Sequence, residues 1–435
     1  MILVYTPKRT SRIDYIFEFL FVDILGLKVN FTDNAEDFKD YIGAKLNYSK
    51  QQLEQELFIY QSDFLLQKGL KKPDFRMGQF DKDPCLFFNE VENTTLPFDL
   101  FAASFYLVTR FEEYQSMYTD HHGRFNHEKS LAFEHNFLGK PLIDIWLYKL
   151  VAIIQEKYPN FKPQSKKYKF VPTYDIDIAF AYKYKGFLRT VGSYIKNLSQ
   201  LDFKQIGERT AVMLGKRKDP YDTYDWQIEL QKSYQLSPVY FFLVGGFSTY
   251  DRNISIESTR YRYLIQSISD YAKVGIHPSY LSNDKEELVK REIKQLSSVV
   301  KREIYTSRQH FIKLSMPKTY QVLLKNEIRQ DFSMGYPSHI GFRASTASSF
   351  WFYDVSQELQ TTLRVYPSAI MDVTLKDYMG LNKEQALKRT KKLIDEVKKV
   401  DGLFISIFHN HSLSDYNEWK GWRQVYEDMV NYAVS

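Results

Sequence analysis

From about residue 170 to its end, the chain repeats one alternation: a short run that is apolar or reads as extended, then a longer stretch with helical spacing. The short runs fall at 170–174, 238–244, 274–277, 307–313, 330–334, 367–373 and 403–408. Helical patterns fall at 226–234, 256–271, 285–299, 317–328 and 383–400. About seven short strands separated by helices specify a parallel β/α sheet or barrel, because parallel neighbours need a long crossover. The run P-V-Y-F-F-L-V at 238–244 is nearly all apolar, as a strand covered on both faces should be. In such folds the chemistry gathers at the C-terminal ends of the strands.

The residues found there carry chemistry. The first run ends V-P-T-Y-D-I-D at 171–177, and on a strand Asp175 and Asp177 point to the same face. Two carboxylates so placed repel each other and need a cation, a proton or a solvated edge. His277, His310, Arg343, Asp372 and His409 also fall at or near predicted strand ends. Each alone has a plain structural role: a lone His is hydrogen-bonded, Asp372 caps a turn with Thr374, Arg343 holds a loop. Together they are harder to dismiss, because the chain has only nine histidines and sets three of them beside a D-x-D. An Asp/His/His set suits a borderline divalent metal such as zinc. Metal, carboxylate base and imidazole acid together suit assisted hydrolysis. There is no G-x-S-x-G, no P-loop and no G-x-G-x-x-G, so serine-hydrolase, nucleotide-hydrolase and dinucleotide readings lack support.

Upstream, the pattern predicts strands at 2–5, 28–32, 44–49 and 84–88, helices at 12–25, 97–114 and 141–158, and an ambiguous run at 55–65. The stretch 158–169, with two prolines and a basic run, reads as a linker. The expected organisation is a smaller α/β domain of unknown role over 1–160 and a distorted (β/α) barrel over 165–435. The 44% of hydrophobic residues supply a large core. The formal charge of +6 reads as scattered over Lys-rich helices; it permits an anionic partner but does not point to nucleic acid. The single cysteine, Cys85, excludes an intramolecular disulfide and any multi-Cys metal site. The adjacent His121 and His122 face different ways on any regular element and make a poor metal pair. The N-terminal apolar run is too short for a signal peptide, and Glu18 and Asp23 break the only other candidate span. The expectation is a cytoplasmic protein without a membrane span.

The second half resembles the NodB-homology polysaccharide deacetylases, carbohydrate esterase family 4. T-Y-D-I-D at 173–177 is similar to their first motif, H-P-S-Y at 277–280 to the second, G-F-R-A-S-T at 341–346 to the third, Met371–Asp372 to the fourth and F-H-N-H at 408–411 to the fifth. The whole pattern, N-terminal part included, is similar to a Bacteroidetes-type group within that family. The resemblance implies a distorted barrel that removes N- or O-linked acetyl groups from a sugar or glycan precursor with Zn2+, or another divalent metal such as Co2+ or Ni2+. It implies Asp175 as general base, Asp177 and His277 as metal ligands, Arg343 as the arginine that orients the base, Asp372 as the acid that tunes the catalytic histidine, and His409 as general acid. The chain departs from the family at Pro278 and at Leu281, where a second metal histidine belongs. His310 is the expected replacement and His339 the fallback, neither of them a family residue. The alternative is a catalytically inactive barrel that binds carbohydrate or acts as a scaffold. Tyr174, Tyr280, Trp351 and Tyr353 are expected to line a sugar cleft.

Overall fold

The computed structural model describes residues 1–164 and 166–435. The first sheet is parallel throughout, in the order β2-β1-β3-β4, from β1 (Ile2–Tyr5), β2 (Val29–Thr32), β3 (Lys45–Ser49) and β4 (Leu57–Tyr60). Helices α1 (Ser11–Phe17) and α2 (Ala35–Asp40) are its crossovers, and α1 continues as a π-helix over Glu18–Ile24. A small hairpin, β5 (Gly78–Phe80) and β6 (Asp83–Cys85), precedes α3 (Leu100–Val108), the short α4 (Leu131–Glu134) and α5 (Leu142–Lys157). Every residue of α3 is buried, and Asp99 caps it by accepting from the Ala102 N–H. The helix expected to run on to 114 stops at Thr109, because Arg110 turns into the left-handed region at φ 55°. That turn brings Arg110 and Glu113 into one buried ion pair.

The second sheet has nine strands in the order β12-β13-β11-β10-β9-β8-β7-β15-β14. They are β7 (Lys169–Ile176), β8 (Val239–Phe242), β9 (Lys273–Ile276), β10 (Thr306–Ser307), β11 (Gln330–Asp331), β12 (Phe350–Asp354), β13 (Leu359–Val365), β14 (Ile370–Met371) and β15 (Leu403–His409). All pairings are parallel except β12 with β13. Among the described residues no pairing joins β12 to β14, so the architecture is a mixed α/β sheet with two open ends rather than a hydrogen-bonded ring. The helices are α6 (Phe187–Ser199), α7 (Phe203–Met213), α8 (Tyr224–Ser233), α9 (Thr259–Ser269), α10 (Glu286–Val300), α11 (Lys318–Lys325), α12 (Lys383–Lys398) and α13 (Trp422–Val434). The pattern of apolar residues did not announce β12 or α7. β12 is an antiparallel edge, where alternation is weak, and much of the apolar surface of α7 faces outward.

One cluster of buried apolar side chains runs from Ile2 to Ala433, so the two sheets share a core. Buried polar contacts reinforce it. Asp144 of α5 accepts from the Ala347 N–H and the Ser348 hydroxyl, each within 3.0 Å. Arg12 holds Glu358, and Glu113 holds Arg343.

Candidate metal centre

Register decides which side chains meet. Asp175 lies opposite Phe241 and His409, Ile176 opposite Phe242, Phe242 opposite Ile276, and Ile276 opposite Ser307. The residues leaving β7, β9, β10 and β15 therefore emerge side by side at one edge of the sheet. There Asp177, His277 and His310 bring one ligand atom each to within 4.8 Å of one another. His277 Nε2 lies 3.2 Å from Asp177 Oδ1, and His310 Nε2 lies 3.3 Å from Asp177 Oδ2. His310 thus completes the three-residue cluster, and Leu281 is half exposed at the surface.

The surroundings fit a cation. His277 Nδ1 donates to the Arg308 carbonyl, 2.6 Å away, which leaves a lone pair on Nε2 in the neutral ring. That lone pair faces Asp177 Oδ1, a buried oxygen with no hydrogen-bond partner among the described residues. Two acceptors facing each other in a buried place is the arrangement a metal ion relieves. His310 Nδ1 lies 2.9 Å from Asp251 Oδ1, so a carboxylate sets its tautomer from behind, as is usual for metal-binding histidines.

Burial alone would discharge His310, yet the Asp177 and Asp251 carboxylates outweigh it and push the imidazole up to about 9. Burial likewise opposes charge on His409, and Asp372 and Asp177 hold it well above the ordinary range. Asp177 lies well below the usual carboxylate range despite its burial, because His310 and His409 surround it.

Two further pairs flank the triad. Asp175 Oδ1 accepts from Arg308 Nη1 at 2.8 Å, and Asp175 Oδ2 lies 3.7 Å from His277 Nε2. His409 Nδ1 lies 2.8 Å from Asp372 Oδ1, whose other oxygen accepts from the His409 N–H and the Ser412 hydroxyl. Its Nε2 faces Asp177 at 3.4 Å. All of these except Arg308, Asp251, Asp372 and Ser412 border a cleft of about 450 Å³, also lined by Tyr221, Phe311, Met371, Lys376, His411 and Trp419.

Some expectations move. Arg343 does not touch Asp175. Its Nε and Nη2 donate to Glu113 at 3.0 and 2.6 Å, and Nη1 to the Gly335 carbonyl. Arg308 is the guanidinium on Asp175, because β10 is three strands from β7 with only β8 and β9 between, whereas Arg343 follows a loop that leaves β11 toward α3. His339 lies outside the cluster, stacked on His127 with ring centres 5.1 Å apart. Tyr174 is fully buried against Tyr426, Tyr353 bonds Ser11 and Glu358, and Trp351 packs under Arg364, so none of the three reaches the cleft. Tyr280 instead joins His122, Tyr250 and Phe311 in an aromatic group. Sequence reasoning missed Arg308, Asp251 and His411. The S-R-Q-H run at 307–310 was the available signal for the first, two residues ahead of His310.

Residues 2–159 match a family of unknown function, DUF7033. No curated protein matches the chain. Among solved structures it is similar to a candidate polysaccharide deacetylase from Mycobacterium smegmatis, at 12% identity and a TM-score of 0.41, covering 63% of this chain and 86% of that one. It is also similar to Puue allantoinase (12% identity, TM-score 0.38, 61% and 83% covered) and to Agd3, a carbohydrate deacetylase (9% identity, TM-score 0.39, 68% and 54% covered). Among the described residues no helix is long and apolar enough to cross a membrane.

Proposed function

We propose that the chain is a metal-dependent hydrolase that removes N- or O-linked acetyl groups from a sugar or glycan precursor. The observation that carries this reading is the convergence of Asp177, His277 and His310 within 4.8 Å, between an Asp–Arg pair and a His–Asp pair. The five sequence motifs supply the acyl-sugar class. A divalent cation held by Asp177, His277 and His310 would polarise an acyl carbonyl and acidify a water molecule. Asp175 accepts the proton of the attacking water. Arg308 holds that carboxylate toward the cleft. His409 delivers a proton to the departing nitrogen or oxygen, and Asp372 fixes its tautomer so that Nε2 faces the cleft. Trp419 and Tyr221 supply flat apolar faces suited to a sugar ring.

The test separates chemistry from metal binding. Asp175→Asn is expected to lower turnover of acetylated amino sugars by about a hundredfold or more, in line with loss of a positioned base. It is expected to keep one equivalent of zinc. Turnover near the wild-type rate in Asp175→Asn, or wild-type protein that takes up no zinc, would refute the reading.

A further inference from the structure

Residues 183–218 carry nine Lys and Arg against two Asp and Glu. The chain as a whole is only +6, so the rest of the molecule is slightly acidic and the excess positive charge is concentrated here. It is not scattered, as the composition suggested. The same segment contains the hairpin of α6 and α7, and that hairpin is inside out. Phe187, Leu188, Val191, Ile195 and Leu198 lie within an arc of roughly 100° on α6. All five are exposed, Phe187 by 81% and Leu188 by 83%. The side of α6 turned to the protein instead buries Asn197. Leu201 and Phe203 in the bend and Leu214 after α7 extend the exposed apolar surface.

The hairpin is nonetheless a defined structure. Tyr194 and Thr210 hydroxyls bond across it at 3.0 Å, and buried Arg209 stacks on Tyr182 at 4.7 Å. Helices of soluble proteins turn their apolar stripe inward, and a contiguous exposed stripe on a fixed frame marks a binding surface. Exposed Lys196 and Lys204 lie on the same hairpin, and exposed Lys216 and Arg217 follow α7 directly. An apolar face about three turns long with cations alongside is the pattern of a helix lying in a lipid headgroup layer. A second copy of the chain is a poor occupant, because it would bring the same concentrated positive charge to the contact.

We propose that the α6–α7 hairpin docks this protein onto an anionic phospholipid surface, with the apolar stripe among the acyl chains and the lysines at the headgroup phosphates. Ile178 and Tyr221, just outside the two ends of this segment, both line the metal-site cleft. Docking therefore sets that cleft beside the bilayer. The inference stands whatever reaction the cleft performs.

Sedimentation of the full chain with phosphatidylcholine vesicles, with and without phosphatidylglycerol, tests it. The protein is expected to pellet with the anionic vesicles and to be released by added salt. The double variant L188E/I195E is expected to bind at least about tenfold more weakly, from the apolar area it withholds. K196E/K204E is expected to weaken binding as well. All four positions are exposed, so melting temperature and zinc uptake should stay those of the wild type, which separates this test from that of the hydrolase reading. Absent or equal binding to both vesicle types, or undiminished binding of both variants, would overturn the proposal. So would a concentration-dependent dimer abolished by L188E/I195E, which would assign the stripe to self-association.

Discussion

Replacing Asp251 by Asn should weaken zinc binding without removing a metal ligand. Asp251 is 1% exposed, and its Oδ1 accepts from His310 Nδ1 at 2.9 Å and from the Tyr280 N–H at 2.8 Å. Oδ2 accepts from the Ser248 hydroxyl at 2.8 Å. Burial works against its ionised form, yet these partners hold the carboxyl below the usual range. The anion therefore fixes the proton on Nδ1 of His310 and leaves Nε2 free to bind a cation. Asparagine removes the charge, and an amide N–H turned toward Nδ1 favours the opposite tautomer, with the proton on Nε2. Loss of such an outer carboxylate weakens metal affinity by about 10–100-fold. That corresponds to about 1.4–2.7 kcal/mol. Calorimetric titration of chelator-stripped protein with zinc measures it, with His310→Ala as the full-loss control and a thermal melt to show that the Ser248 and Tyr280 contacts survive. Affinity within about twofold of wild type in D251N, alongside clear loss in His310→Ala, would refute the role given to Asp251.

The remaining predictions concern the framework and the base. Glu113→Gln should destabilise the fold by about 3–5 kcal/mol in urea unfolding, because it leaves the buried guanidiniums of Arg110 and Arg343 against a neutral amide; a loss under about 1 kcal/mol would mean that the two arginines find other partners. Arg308→Met should lower turnover and leave zinc stoichiometry intact, since the guanidinium touches Asp175 and none of the triad side chains by hydrogen bond; a loss of metal instead would place Arg308 in the scaffold of His277. Burial pushes the Asp99 carboxyl up to about 6 from an ordinary 3.8, against the hydrogen bonds from Tyr48, Ser62 and Ala102. The native state thus binds this proton more tightly than the unfolded chain. The contribution is fully present below about pH 4 and is lost as pH rises through about 6, a change of about 3 kcal/mol. Asp99→Asn should abolish that portion of the pH slope, and an unchanged slope would show that Asp99 ionises normally.

Much of the metal site was legible because its ingredients are local. Asp175 and Asp177 share a face through the two-residue period of a strand. His277 and His409 close short strand-like runs, and His310 sits in the polar start of another. His310 could be named as the replacement for the residue missing at Leu281 because it too sits near a predicted strand end, in the next run after His277. What was misplaced depended on partners. Arg343 sits in a motif that suggested a site role, yet it is bound to Glu113, 230 residues earlier in the chain. Asp251 lies in a loop with no periodicity, and only the seating of that loop behind His310 gives it a function.

By itself, then, the amino-acid sequence determined the alternation of strands and helices, the common face of the two carboxylates and the placement of histidines at strand ends. Each follows from backbone geometry over a few residues. The tertiary structure alone decided the order in which strands lie beside β7, which guanidinium reaches Asp175, and which side of α6 meets the protein. A helical pattern shows that a helix has an apolar stripe. Whether that stripe is buried or left exposed depends on what the rest of the chain places against it, and here the protein packs against the opposite side.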